Sequence, residues 1–543
     1  MEIESQASRA TSLRIEQKAA GSRLKRQEKV LYPLGLLFLM VSRLGLQWLL
    51  YQAGFLALTA DDYGRIVLAA RWAQRPFLLW RGAWLPFHMY LFGTALKIKW
   101  DLLTGPRLIA IFIGEMSIVL AYLLAVALFH RRSAGLLAAI FLAFNPAHVW
   151  LSSAPLSEIP ATALILGCFL CFVLFLKNGR LLFLFLSAGL LAIANGFRYE
   201  AWMLSAVFSL YLAGFIAFRF YREQIRLRES IPFWIAACLP WLFPIAWLIG
   251  NKVLTGNPFY FLGEITSYKL SHYGTGRSYW SYVQTLVGLD PAGFILVFAG
   301  FGLLVKKLRS DLAGSWYLLM IWAPFLVFAY LHGGQSEPPG NSIRYLAPFF
   351  FIAYPAAGIA ADSFMRRLGK NWIWGTGLIL LVFAGILSFQ IKNTFQFVND
   401  PASDGLAVGQ ALQNLRVKNA GSRPQPALIE VSYWGYLAIH IGSNDIDHIF
   451  YDRPVDYSAN PPSSLLLADP TGLNPCITRY DIAYIIMKSP DLIQIIEDQL
   501  HLSPLETVNG YAIFQVPDDF PEEAGAACSL EFSKAETRAQ DGR

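Results

Sequence analysis

Thr59-Ala60-Asp61-Asp62-Tyr63-Gly64-Arg65 follows directly on the first long apolar run of the chain, residues 30–58. Two carboxylates and a guanidinium where a membrane helix ends are costly beside lipid, and such groups tend to mark function. A carboxylate there can accept the proton of an attacking hydroxyl. An arginine there can hold a departing phosphate. Arg71, Arg75, Arg81 and Lys97 follow in the same segment. A structural reading stands beside this one: Thr59 or either aspartate caps the helix that begins here and complements its dipole.

Comparable groups recur further along. Leu156-Ser157-Glu158-Ile159-Pro160 carries a carboxylate, Asn195-Gly196-Phe197-Arg198-Tyr199-Glu200 an arginine and a glutamate, and Asn341-Ser342-Ile343-Arg344-Tyr345 another arginine. Each has a plain alternative: a solvent-facing Glu158, an Arg198–Glu200 pair, a snorkelling Arg344. Their gathering at one membrane face favours function. Of the histidines His88, His148, His272 and His332, His88 is the candidate polar contact near an acceptor. Asp61, Glu158 and a histidine could also supply the hard ligands of a divalent cation such as Mg or Mn.

The elements that must position these residues are membrane helices. The chain has 543 residues, of which 55% are hydrophobic and 15% charged, with mean hydropathy +0.43. A soluble domain carries nearer a quarter charged residues. Eleven apolar runs read as spans: 31–53, 106–129, 133–152, 156–176, 181–197, 199–218, 231–250, 287–305, 313–331, 344–362 and 372–391. The net charge of +7 is no nucleic-acid signal, because the basic residues form short clusters between these runs. Six clusters, from the N-terminal tail to Arg366-Arg367, alternate as they must if the N-terminus is cytoplasmic. Residues 392–543 are then extracytoplasmic, and the protein sits in the plasma (inner) membrane. The first 29 residues are polar and basic, and the apolar run after them is too long for a cleaved signal peptide.

This divides the chain into a basic tail (1–30), a membrane domain (31–392), a small soluble α/β domain (393–518) and a tail (519–543) expected to be disordered. The outer loop 59–105 should hold two interfacial helices. In the first, Tyr63, Ile66, Val67 and Ala70 form one apolar face suited to lipid; the second runs from Trp84 to Trp100. The large outer loop 251–286, rich in Tyr, Gly and Ser, suits a sugar or lid site and equally an interfacial aromatic belt. In the soluble part, 427–431, 482–487 and 511–516 read as strands and 405–417 and 490–500 as helices, with a turn at Asn509-Gly510. Of five cysteines, Cys168, Cys171 and Cys238 lie in apolar helices, while Cys476 and Cys528 could pair.

The acidic pair, Trp84-Leu85-Pro86-Phe87-His88, Pro155-Leu156-Ser157-Glu158, Phe197-Arg198-Tyr199-Glu200 and Ile343-Arg344-Tyr345 occur in the same order in GT-C membrane glycosyltransferases. Across residues 30–392 the chain resembles glycosyltransferase family 39, the protein O-mannosyltransferase-like enzymes, and the lipid A aminoarabinose transferases. The resemblance implies a polyprenyl-phosphate-sugar donor, inverting transfer and a first-loop aspartate as base. Asp61 matches that aspartate and Asp62 its acidic neighbour. Glu158 matches a second-loop acidic residue, and Arg198 a residue on the lipid phosphate. Members often carry Lys-Pro-Pro-Leu-His where only Pro86 and His88 remain here, so Arg81 is the candidate substitute for the lysine.

The expected activity is therefore cell-envelope glycosylation: a sugar moves from polyprenyl phosphate to a hydroxyl of a protein, lipid or glycan. Asp61 and Asp62 are the catalytic candidates, and Arg65, Arg81, Arg198 and Arg344 the phosphate ligands. His88, Glu158, Tyr199, Glu200 and Tyr345 are expected around the sugar or acceptor. Two rivals remain: a transporter or flippase of lipid-linked sugars, which calls for carboxylates near the midplane and repeated halves, and a noncatalytic envelope-assembly subunit. Of these features the sequence offers only Glu115 within a span.

Overall fold

The computed structural model describes residues 30–78, 82–223, 227–273, 280–306, 311–332, 339–368, 372–419, 425–431, 434–453, 464–518, 520, 528, 530 and 532–534. Among these, seven helices are long and apolar enough to cross a bilayer, beginning with α1 (Val30–Gln52). The count reaches nine if each of two bent pairs is one span: Arg132–Phe144 with Pro146–Ser153, and Tyr282–Leu289 with Pro291–Val305. Helices also occupy the other two expected spans, the shorter Leu181–Ala194 and Trp372–Thr394. Length and composition thus return seven to nine spans, short of the expected eleven.

The bends have local causes. Pro146 and Pro291 each open the second helix of a pair, where a missing N–H is harmless and the preceding residue leaves the helical region. Asn145 and Asp290 cap those helices, accepting from His148 N (3.0 Å) and Gly293 N (2.9 Å). The two caps also meet inside the bundle. Asp290 Oδ2 accepts from Asn145 Nδ2 (3.1 Å), Tyr354 Oη (2.6 Å) and Gln390 Nε2 (2.9 Å). A carboxylate buried in lipid-facing architecture is tolerable only when satisfied in this way.

Outside the spans, α2 (Asp61–Gln74) and α3 (Phe87–Ile98) occupy the first outer loop, and α4 (Thr104–Phe129) returns to the membrane. The apolar face of α2 is buried, but against protein rather than lipid: Tyr63, Ile66, Val67 and Ala70 pack with Leu406, Ala438 and Ile441 of the C-terminal part. Periodicity identified the face and could not identify its partner.

The C-terminal part is a six-stranded sheet in the order β4-β5-β3-β1-β2-β6. Its strands are β1 (Ala427–Ile429), β2 (Ile449–Tyr451), β3 (Tyr484–Met487), β4 (Glu506–Val508), β5 (Tyr511–Gln515) and β6 (Ser533–Lys534). β1 is parallel to β2 and β3; β5 is antiparallel to both β3 and β4. Asn509 and Gly510, both at positive φ, make the tight β4–β5 turn. β2, β4, β6 and the helix Gly435–Ser443 were not legible as separate elements in the sequence. Part of the expected disordered tail is ordered, because Cys528 is disulfide-bonded to Cys476 and β6 pairs with β2.

The sheet layer is tied to the first outer loop. Tyr63 Oη donates to Ser403 Oγ (2.9 Å), and Asp400 N to Ala57 O (3.1 Å). Asn399 accepts from Leu56 N (2.8 Å) and donates to Gly54 O (2.7 Å). The segment that carries the acidic pair is thereby clamped from above.

Candidate active site

The site forms where three outer turns converge beneath that clamp. The start of α3 is pinned to the turn before the helix Glu200–Glu223: Phe87 N donates to Gly196 O (3.1 Å), and Tyr199 Oη to Ala83 O (3.0 Å). Gly196 is required there, since a Cβ would lie 2.3 Å from the Phe87 ring. Tyr199 in turn stacks on Phe261, centroids 5.0 Å apart, which gives the aromatic loop 251–286 one role in packing against the site.

Arg344 is the hub. Its guanidinium reaches Asp61 Oδ2 (2.9 Å), Glu158 Oε1 (2.7 Å) and Thr59 Oγ1 (3.2 Å). Arg198 contacts the same Glu158 oxygen (2.9 Å) and binds Glu200 through two nitrogens, at 2.5 and 3.1 Å. It also lies 5.3 Å from the Tyr345 ring centroid. Glu158 is therefore a buried bridge between two guanidiniums rather than a solvent-facing residue, and Arg344 is buried rather than snorkelling. The Arg198–Glu200 pair of the structural reading does form, as part of this larger network.

Arg65 differs from its two neighbours. Its guanidinium lies 4.8 Å from the Trp84 ring centroid, yet its Nε is buried with no hydrogen-bond partner. Burial lowers its pKa to about 10, opposed by the attraction of Glu158 and Asp61. Among the described residues it forms no ion pair.

The two aspartates have separate surroundings. The Asp61 side chain is 32% exposed, the one carboxylate of the network open to a reactant. Asp62 is 2% exposed and turned inward, accepting from Leu58 N (2.7 Å) and Thr59 Oγ1 (3.3 Å). Burial raises its pKa to about 7, against the pull of Arg344. Neither aspartate caps α2 in the ordinary way, because the residue at the cap position is Ala60, without a side-chain bond.

His88 is wholly buried. Its Nδ1 lies 2.7 Å from Leu85 O, and a carbonyl only accepts, so Nδ1 carries the hydrogen. Burial, reinforced by Arg65, holds the ring well below the usual histidine pKa, and its Nε2 has no partner.

Arg81 lies outside the described residues. Arg71 and Arg75, in the last turn and at the C-cap of α2, stand about 9 and 15 Å along the helix from Arg65. Among the described residues no group of three or more His, Cys, Asp and Glu could hold a metal ion. The donor set explains why Asp61 and Glu158 suit one poorly: both carboxylates are already engaged by arginines, whose charge opposes a divalent cation.

A second buried cluster escaped the sequence reading. Arg43, within α1, donates to Ser152 Oγ (2.6 Å) and His148 O (3.2 Å), and Gln47 to Ser153 Oγ (3.0 Å). Arginine in the middle of an apolar run was the available signal.

No protein-family model matches the chain, and no curated protein matches it in sequence. Solved structures do match in shape. ArnT from Cupriavidus metallidurans bound to undecaprenyl phosphate superposes with a TM-score of 0.60 at 11% identity, covering 89% of this chain and 98% of that one. The archaeal oligosaccharyltransferase AglB from Archaeoglobus fulgidus, in complex with an inhibitory peptide and a dolichol-phosphate, gives 0.53 at 11% identity, covering 92% and 75%. The chain shares the fold of these two solved structures. At such identity it is the architecture that is shared, and the chemistry has to be argued from the residues.

Proposed function

We propose that this protein is a membrane glycosyltransferase. It takes a sugar from a polyprenyl-phosphate carrier and passes it, with inversion, to a hydroxyl of a protein, lipid or glycan on the extracytoplasmic face. The observation that carries the reading is Asp61: an accessible carboxylate, oriented by Arg344 at 2.9 Å, within a ring of arginines. Asp61 would take the acceptor proton as the acceptor oxygen attacks the anomeric carbon. The bond from that carbon to the phosphate oxygen breaks, and the phosphate leaves with the electron pair. Arg65, whose Nε–H is unspent, would receive it, with Arg344 and Arg198 completing the cationic wall. The lipid phosphates named for the two structural neighbours support a lipid-linked donor, and the Cys476–Cys528 disulfide supports an oxidising compartment for the C-terminal layer.

The test is turnover and donor binding in purified, detergent-solubilised protein. Asp61→Asn should cut transfer roughly 10²–10⁴-fold, the range of a general base, while donor affinity holds. Arg65→Ala should weaken donor binding instead. Unchanged turnover in Asp61→Asn would remove the base, and unchanged turnover in both Asp61→Asn and Asp62→Asn would end the glycosyltransferase reading. The transporter reading keeps one specific support: Glu115 lies within α4 beside Arg43, a carboxylate inside the bundle. Lipid-linked sugar crossing proteoliposomes without transfer would favour it.

A further inference from the structure

We propose that His88 recognises the donor sugar, its Nε2 accepting a hydrogen bond from a sugar hydroxyl beside the phosphate that Arg65 holds. This rests on the glycosyltransferase reading and extends it to the chemistry of the donor.

Two buried polar atoms at the site lack partners: the Nε2 of His88 and the Nε of Arg65. Leaving such groups unpaired costs free energy, and native structures rarely do so without a ligand or a water. Both side chains adjoin the same indole. Arg65 lies over Trp84 at 4.8 Å and the His88 ring is edge-on to it at 6.2 Å. Trp84 is seated against α2 at Gly64, where an added Cβ would come within 3.1 Å of the indole. A single ligand that served both would have to offer a donor to His88 and an acceptor to Arg65.

The ring's protonation narrows the chemistry. Its one N–H is spent on Leu85 O, so Nε2 presents a lone pair. A phosphate oxygen presents lone pairs too and would be repelled, so His88 is not a phosphate ligand. An ammonium would be disfavoured by the neighbouring Arg65 charge. What satisfies both atoms is an uncharged hydroxyl next to an anionic oxygen, which a glycosyl phosphodiester offers through its sugar and a fully ionised polyprenyl phosphate lacks. A site built to hydrogen-bond a hydroxyl rejects the analogue that lacks it.

The experiment compares two kinds of probe on the purified full-length protein: undecaprenyl phosphate, and dolichyl phosphates bearing mannose, glucose or galactose. Wild type should bind its preferred sugar lipid more tightly than the bare lipid. His88→Ala should reduce that affinity about tenfold or more, toward the bare-lipid value, and leave undecaprenyl phosphate binding unchanged. His88→Gln, which retains an acceptor near Nε2, should recover part of the difference. The proposal is overturned if His88→Ala affects neither lipid, the outcome expected when only a buried water occupies the spot. It is overturned equally if both affinities fall together, or if wild type does not distinguish any sugar lipid from the bare one. Failure of wild type to bind either lipid would instead sink the glycosyltransferase reading beneath it.

Discussion

Asp61 and Asp62 are adjacent in sequence and opposite in circumstance. The acidic pair was visible as a pair, but successive helical residues point about 100° apart, and only packing decides which one faces the reactants. Asp62 carries its own prediction. Its proton is retained in the folded state up to about pH 7 against a usual value of 3.8, so between those values the folded protein binds more protons than the unfolded one. Its contribution to stability is then complete at low pH and lost as pH rises toward 7. Melting in detergent across pH 4–8 should show a decline in wild type that Asp62→Asn flattens, with transfer retained; an unchanged slope would refute the assignment. Arg198 carries another. It is held by Glu158 and Glu200, so Arg198→Ala strands the buried Glu200, leaves Glu158 to Arg344 alone, and should cost about 3–5 kcal/mol. Reduced melting temperature before any donor-specific defect is the expected result, and Arg65→Ala, with no ion pair to break among the described residues, is the cleaner probe of phosphate binding. A donor defect at full stability in Arg198→Ala would reverse that ranking.

At the scale of elements, the sequence located helices better than it located the contacts between them. Tyr63, Ile66, Val67 and Ala70 announced an amphipathic α2, yet nothing in their spacing said that Ala438 and Ile441 would cover them, since that contact joins segments more than 350 residues apart. Asn145-Pro146 and Asp290-Pro291 fall inside the expected spans 133–152 and 287–305, for which no bend was expected; that the two caps would hydrogen-bond each other at 3.1 Å was not legible, because it depends on tertiary approach. Gly196 tests one such approach. A methyl group there meets the Phe87 ring at 2.3 Å and would push the start of α3, with His88 one residue on, away from Arg198. Gly196→Ala should lose about 1–3 kcal/mol of stability by overpacking and lower turnover more than donor affinity for the phosphate. Replacing Phe87 with leucine in the same protein should relieve the clash and recover turnover. Wild-type behaviour of Gly196→Ala would show that this junction does not position the site.

For the molecule as a whole, the helix Glu158–Asn178 is a ruler. Its first residue belongs to the Asp61–Arg344 network, and the sheet layer is clamped to that end through Tyr63 and Ser403. Near its other end Lys177 contacts His130 Nε2 at 2.9 Å, and Arg131 and Arg366 pair with Asp362 close by in the fold. Twenty-one residues at 1.5 Å each span about 30 Å, the thickness of a bilayer core. The candidate site with its C-terminal layer and the Arg131–Lys177 end therefore belong to opposite faces, independently of how many helices cross. Which face is cytoplasmic is a prediction from charge. Among the described residues Arg131, Lys177 and Arg366 lie at the Lys177 end, so the positive-inside rule predicts a cytoplasmic position for that end, and the disulfide in the sheet layer predicts an oxidising space for the other. Reporter fusions after Lys177 and after Asn393 should accordingly give opposite readings, fluorescent protein active at the first and alkaline phosphatase at the second. In intact cells Cys476 and Cys528 should resist alkylation until a reductant is added. Matching reporter readings at the two positions would overturn the arrangement of the molecule across the membrane, and opposite readings of reversed sign would leave the arrangement standing while moving the candidate site to the cytoplasmic face.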